Sequence, residues 1–296
     1  GGIIDEAALV KAIKEGKVVA AALDVFEQEP IPADSELLKL ENVIVTPHLG
    51  ASTEEAQVNV AIEVAEIVRD ALLGRGIRNA ANYPCLDPEV AKSLQPYIVL
   101  CEKLGGFASQ MVEGRFQELH INYSGEITKF DLTSLTMSIA KGILSPILKE
   151  TVNFVNAVTI ARERGIRIKE AKSGQEGEFV NLVEITIHTD QQVRTIAGTL
   201  SANKQPRIVK IDGYYVEVAP FGEMIMIQNW DRPGIIGNLG SLMGANKINI
   251  AAMTFGRQTP GGKAISVLNV DSPISPDLLE KVRRIENILD VRVIRL

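Results

Sequence analysis

Leu23-Asp24-Val25-Phe26-Glu27-Gln28-Glu29-Pro30 and, after a polar loop, Asn42-Val43-Ile44-Val45-Thr46-Pro47-His48-Leu49-Gly50-Ala51-Ser52-Thr53 decide how this chain reads. Each stretch starts from a short apolar run, Ala20 to Val25 and Val43 to Val45, of the kind expected for a parallel strand buried on both faces. Each run gives way to residues that carry charge or take up a proton: Asp24 and Glu29 after the first, His48 after the second. Ligands of an open parallel sheet bind outside the carboxyl ends of its strands, and all three residues fall there.

A carboxylate beside a histidine fixes the imidazole tautomer, holds the ring and favours its protonated form. Such a histidine can move a proton to or from a substrate hydroxyl. A lone histidine after a proline is more often a surface or capping residue, and a glutamate before a proline is usually a solvated turn residue. The weight therefore rests on the length and order of the whole motif.

Asp-Val-Phe-x-x-Glu-Pro followed by Asn-Val-Ile-Val-Thr-Pro-His-Leu-Gly-Ala-Ser-Thr resembles the D-2-hydroxyacid dehydrogenase family. The resemblance implies that His48 is the acid/base, that Glu29 is its partner, and that Asp24 contacts the nicotinamide carboxamide of NAD. It places His48 and the main chain of Leu49, Gly50 and Ala51 beside the cofactor. Family members carry an Arg directly before the first of the glycines matched by Gly1-Gly2, where it binds the substrate carboxylate, and a Gly-x-Gly-x-x-Gly phosphate loop further upstream. Neither falls within this sequence. The chain is therefore expected to be a C-terminal fragment that does not turn over by itself.

The 296 residues suffice for two domains or more, and 46% hydrophobic with 23% charged residues is ordinary for a globular protein. A net charge of -6 without a basic run argues against nucleic acid as a partner. No apolar run approaches membrane-spanning length, so no membrane partner is expected. Cys85 and Cys101 lack metal spacing and read as free thiols of a cytoplasmic protein. With only three histidines, no metal site is expected.

Along the chain, Asp5 is expected to cap a helix over Glu6–Glu15 stopped by Gly16. Ser52 with Glu55 fits a capping box that opens a helix to about Leu73, with Val60, Val64, Ile67, Val68 and Leu72 as its apolar stripe. Gly74 to Pro84 is a breaker-rich connection, in which Arg75 and Arg78 read as solvated linker charges, and a boundary is placed near Tyr83 to Pro96. Helices are expected at Tyr97–Val112, from Asp131 to about Leu144, and at Thr151–Arg164. Strands are expected at Phe116–Tyr123, Ile166–Ala171, Phe179–Thr189, Val193–Leu200, Arg207–Ile211 and Tyr214–Val218, with Asp212-Gly213 as a hairpin turn. His120 and His188 read as isolated structural histidines.

This middle part, through Asn153-Phe154-Val155-Asn156-Ala157, Gly198-Thr199-Leu200 and Pro206 to Tyr214, resembles the intervening domain of the family's long form. Some relatives bind an anion there. Arg207 matches one basic position, whereas Ala219 stands where a second would fall.

The last part reads as strand Met224–Gln228, a helix capped by Asp231 with Ile235, Leu239, Leu242 and Met243 inward, strands Ile248–Phe255 and Lys263–Val270, helix Asp277–Ile285 and strand Leu289–Leu296. The order is ferredoxin-like, βαββαβ. Asn-Trp-Asp-Arg-Pro-Gly-Ile-Ile-Gly with Ile248-Asn249-Ile250-Ala251 resembles the ACT domain, a small-molecule sensor that usually pairs edge to edge. The resemblance puts Asn229, Asp231 and Asn249 at a serine-binding site. Asn249 also fits as a mere strand-edge residue, and Asp231 as a cap.

The expected fold is thus multidomain, α/β and α+β. It comprises a remnant of a Rossmann-type NAD-binding domain at 1–84, an α+β intervening domain at 85–221 and a ferredoxin-like ACT domain at 222–296. The resemblance implies NAD-dependent oxidation of 3-phospho-D-glycerate to 3-phosphohydroxypyruvate, the entry to L-serine synthesis, in a homo-oligomer (dimer or tetramer) regulated by L-serine. Two other readings compete: a non-catalytic amino-acid-binding or oligomerisation module, and a dehydrogenase for another hydroxyacid such as glycerate or lactate.

Overall fold

The computed structural model describes residues 1–73, 77–80, 88–148, 151–174 and 177–296. It divides into two compact units, Gly1–Arg78 and Asn79–Leu296. Cys85 and Arg75, with most of the connection read at 74–84, lie outside the described residues.

In the first unit, Asp5 accepts the Ala8 N–H at 2.9 Å and so caps α1 (Glu6–Lys14), as expected. The chain then forms β1 (Ala21–Leu23) and β2 (Val43–Val45), paired in parallel with Leu23 opposite Val45. Val10, Phe26 and Leu37 form a small core, with Leu9, Leu23, Val43 and Val45 packed on it. The strands are covered on this one face only, because their alternate residues point the other way: Ile44 is 68% exposed. The expectation of burial on both faces does not hold for this unit.

The helix after His48 is α2 (Glu54–Leu72). Its cap is Thr53, whose hydroxyl accepts the Ala56 N–H at 3.2 Å, one residue later than the expected Ser52. Both residues can cap, and the backbone is extended at Thr53, as a cap requires. No residue of α2 is buried, so the apolar stripe faces outward.

The second unit opens with α3 (Pro88–Gln110), which begins well before the expected Tyr97 and carries Pro96 inside it. Pro88 sits at its start, where a missing N–H costs nothing. β3 (Phe116–Gly125), α4 (Thr133–Leu144), α5 (Ala157–Glu163), β4 (Arg167–Ser173), β5 (Asn181–Thr189), β6 (Val193–Leu200), β7 (Pro206–Ile211) and β8 (Tyr214–Val218) follow. α5 starts six residues later than expected, because Asn153 and Asn156 spend their side-chain oxygens on one another's loop N–H groups. The sheet order is β4-β3-β5-β6-β7-β8. Helices α3 and α4 cross closely, and the crossing depends on glycine: a Cβ at Gly105 would lie 2.4 Å from the Ile139 carbonyl oxygen.

β9 (Glu223–Trp230), α6 (Ile235–Ala245), β10 (Ile250–Arg257), β11 (Lys263–Val270), α7 (Pro276–Arg283) and β12 (Ile288–Arg295) complete the unit. Their sheet order is β10-β11-β9-β12. Alternate residues of β9 serve two cores. Met224 and Met226 join the large core with α3, while Ile225 and Ile227 meet α6 and α7. Polar side chains bind these layers together: Arg194, 8% exposed, donates to Asp212 Oδ2 at 2.7 Å, Gln228 of β9 donates to the same oxygen at 3.4 Å, and the Gln110 amide of α3 donates to Arg295 O and accepts its N–H. Among the described residues, no helix is long and apolar enough to cross a membrane, and no group of His, Cys, Asp or Glu could hold a metal ion.

Candidate active site

Asp24 directly follows β1, and Thr46 directly follows β2. The parallel register sets them side by side, and the Thr46 hydroxyl donates to Asp24 Oδ1 at 2.6 Å. The chain beyond Thr46 then wraps around the same carboxylate. Leu49 N–H donates to Oδ1 and Gly50 N–H to Oδ2, each at 2.7 Å. These bonds, the Thr46 hydroxyl's foremost, hold the Asp24 carboxyl below the ordinary carboxylate range.

His48 stands at the crest of this loop. Its backbone is left-handed, φ 55°, a conformation a non-glycine residue keeps only when neighbouring bonds enforce it. Its Nδ1 lies 2.7 Å from Glu29 Oε2, and the other oxygen, Glu29 Oε1, accepts the Phe26 N–H at 3.0 Å. The hydrogen bond to His48, followed by that from Phe26, lowers the Glu29 carboxyl from its usual value. An ionised carboxylate can only accept, so Nδ1 carries the shared proton and neutral His48 keeps its lone pair on Nε2. The His48 side chain is 60% exposed, so Nε2 is open to a substrate hydroxyl.

Asp24, Glu29 and His48 thus come together with Leu49 and Gly50, and exposed Ala51 follows them. Asp24 already serves three donors of its own chain, and the N–H groups of Leu49 and Gly50 are turned to it.

The residues assigned to effector binding do not converge. Asn229 is fully buried, its amide bonded to Trp230 O. Asp231 is not the helix cap: the cap position is Gly234, and Asp231 Oδ2 instead accepts Arg257 Nη1 at 2.6 Å and Gly261 N–H at 3.0 Å. Two rival donors at the end of the sheet claim the carboxylate before the helix begins. Asn249 immediately precedes β10 and donates to Asp271 at 2.6 Å, whereas Arg257 is the last residue of β10. Asp231 and Asn249 therefore stand at opposite ends of that strand. Arg207 donates to Pro206 O, and the Ala219 carbonyl accepts from Asn269.

His120 and His188 are not isolated. Their strands are neighbours, the rings lie 4.5 Å apart, and His120 Nε2 is 2.7 Å from Glu118. Glu118 is also bound by Lys169 and Arg167, and these partners hold its carboxyl down to about 2. Cys101 is a free thiol, buried, and burial pushes its pKa far up.

Residues 1–50 match the family described as D-isomer specific 2-hydroxyacid dehydrogenase, NAD binding domain, and residues 93–212 match the D-3-phosphoglycerate dehydrogenase intervening domain. Class and site thus agree: a strand-end histidine paired with a glutamate, in a stretch of a dehydrogenase's NAD-binding domain. The chain is a relative of the D-3-phosphoglycerate dehydrogenases. It is 43% identical over its whole length to the D-3-phosphoglycerate dehydrogenase of Methanocaldococcus jannaschii, covering 56% of that protein. It is 41% identical to that of Archaeoglobus fulgidus and 42% to that of Synechocystis, again over the whole chain, covering 56% and 53% of them. The chain spans about half the length of the curated relatives it matches.

Three site residues escaped the sequence reading: Thr46 beneath Asp24, Glu6 on the loop before Glu29, and Arg257 on Asp231. Thr46 was within reach, since a parallel register pairing Leu23 with Val45 makes Asp24 and Thr46 neighbours. Glu6 and Arg257 depend on loop conformations that spacing does not reveal.

Proposed function

We propose that this chain is the histidine-bearing part of an NAD-dependent D-3-phosphoglycerate dehydrogenase, oxidising 3-phospho-D-glycerate to 3-phosphohydroxypyruvate at the entry to L-serine synthesis. The observation that carries the reading is the 2.7 Å contact of His48 Nδ1 with Glu29, on a loop fixed from below by Asp24. His48 Nε2 takes the proton of the substrate hydroxyl, and Glu29 stabilises the imidazolium that forms. Bound NAD supplies the chemistry the protein lacks, acceptance of the hydride from the same carbon. Asp24 keeps His48 at the height where Nε2 meets the hydroxyl.

The last module, 222–296, fits an ACT sensor by its order of elements. Asp231 and Asn249 are separated by the length of β10, roughly 25 Å at the usual rise per strand residue, so one serine cannot touch both within one chain. A two-fold pair of copies, meeting edge to edge, brings Asp231 of one copy toward Asn249 of the other.

The test of the catalytic reading is steady-state oxidation of 3-phospho-D-glycerate by the complete natural protein. His48→Ala is expected to lower kcat by about a thousandfold, and Glu29→Gln by on the order of tenfold to a hundredfold. Unchanged turnover in His48→Ala would sink the proposal.

A further inference from the structure

The loop that presents Glu29 is also fastened from behind. Glu6, the first residue of α1, accepts the main-chain N–H of Glu27 on Oε1 at 2.6 Å, and its own N–H points back to Glu27 Oε1 at 3.4 Å. Glu27 lies inside the turn closed by the Phe26 N–H on Glu29 Oε1. A second fastener is apolar: the Phe26 ring, 5% exposed, packs in one cluster with Val10 of α1. One side chain therefore binds the turn's main chain from α1, while the turn's own carboxylate faces His48.

The two fasteners do different work. Burial of Phe26 fixes where the turn lies. It leaves the peptide between Phe26 and Glu27 free to rock about the ring. A carboxylate on the Glu27 N–H removes that freedom, since a hydrogen bond to a charged acceptor is short and directional. It also keeps the Glu6 and Glu27 carboxylates engaged with main-chain N–H groups.

We propose that Glu6 is a positioning residue for the proton-transfer pair, locking the Phe26–Glu29 turn so that the Glu29 carboxylate meets His48 Nδ1. This rests on the catalytic reading above. Glu6 touches neither His48 nor Glu29, so its effect passes through Glu29 alone.

The experiment is a double-mutant cycle on the complete protein, with kcat, the KM values and the pH profile of kcat measured for Glu6→Ala, Glu6→Gln, Glu29→Gln and Glu6→Ala/Glu29→Gln. Glu6→Ala is expected to lower kcat about tenfold and displace the pH profile, since small misplacements at a reacting pair are costly. Glu6→Gln keeps an acceptor oxygen and is expected to restore most of the rate. In the Glu29→Gln background, Glu6→Ala is expected to cost nothing further, as for residues that act as one unit. Additive losses, or a Glu6→Ala enzyme with wild-type kcat and pH profile, overturn the proposal. Should Glu6→Ala fail to fold, an equally impaired but folded Glu6→Gln overturns it as well. Should the wild-type protein show no His48-dependent turnover, it is the catalytic reading that fails. The same variants then test the fastening directly, through the effect of Glu6→Ala on the His48 imidazole resonances in the 296-residue chain.

Discussion

Two sheets of this protein contain strands that run parallel to one another, and in each a carboxylate just past one strand is claimed by residues at or beyond the end of the other. Asp24, after β1, binds Thr46, Leu49 and Gly50 beyond β2. Asp231, after β9, binds Arg257 at the end of β10 and Gly261 beyond it. β9 and β10 each pair antiparallel with β11, so they run parallel to one another and their carboxyl ends share a side. The common device is a strand-end carboxylate that gathers loop N–H groups. What each loop displays differs. Around Asp24 it lifts a histidine onto a second carboxylate, while around Asp231 it holds a Gly-Gly turn with no proton carrier. The scaffold recurs, and the chemistry depends on what it holds up.

The largest effect that could break this comparison is expected at Asp24. Asp24→Ala removes the acceptor for three donors, two of them the main-chain N–H groups that directly follow the left-handed His48. Turnover of the complete protein is expected to fall on the order of a hundredfold, as for an ångström-scale misplacement of a reacting group. A selective rise in the KM for NAD with kcat intact would show instead that Asp24 acts on the cofactor, and the parallel with Asp231 would be lost.

A smaller effect concerns acid. Asp24, Glu29 and Asp231 all hold their protons less tightly than ordinary carboxyls, Asp24 and Glu29 through side-chain hydrogen bonds first and Asp231 through the Gly261 N–H first. A folded-state value below the unfolded one means that the stabilising contribution is present above the ordinary carboxylate range. It is lost as pH falls through the depressed folded values. Amide exchange at Leu49, Gly50 and Gly261 is therefore expected to stay slow down to the ordinary carboxylate range and to quicken together below it. Asp24→Asn is expected to abolish that dependence at Leu49 and Gly50 and leave it at Gly261. If Gly261 changes too, the two loops are not separate devices.

How much of this was legible depended on range. The strand ends were plain in the sequence and the register of β1 on β2 accounts for the Asp24–Thr46 contact, whereas the pairing of Glu29 with His48 came from the resemblance and the Leu49 and Gly50 bonds from the loop's own path. Thr53 in place of Ser52 is a one-residue slip between two adjacent residues that can both cap. Asp231 was misassigned for a stronger reason. A carboxylate before Arg-Pro-Gly satisfies every local rule for a helix cap, yet Arg257 and Gly261, far away in sequence, outcompete the helix N–H groups. The histidine pair was hidden in the same way, since only the pairing of β3 with β5 brings the His120 ring beside that of His188. Local motifs announce themselves, whereas partners brought by a crossover do not.

The smallest effect expected within a single chain is at Asn249, and it sharpens the contrast most. Asn249 is exposed and bonds Asp271 just outside the strands, so Asn249→Ala is expected to change stability by less than about 0.5 kcal/mol in a thermal melt. Asp231→Ala should loosen the Gly261 turn, visible as faster amide exchange there. Both variants are nevertheless expected to abolish the stereospecific heat of L-serine binding, measured against D-serine in the 296-residue chain. Two residues at opposite ends of a strand can be equally necessary to one small ligand only if a second copy completes the site. Serine binding should then vanish on dilution to monomer. Full binding by a monomer, or by Asn249→Ala, would end the two-copy site, and full binding by Asp231→Ala would leave Asp231 a purely structural carboxylate on Arg257 and Gly261.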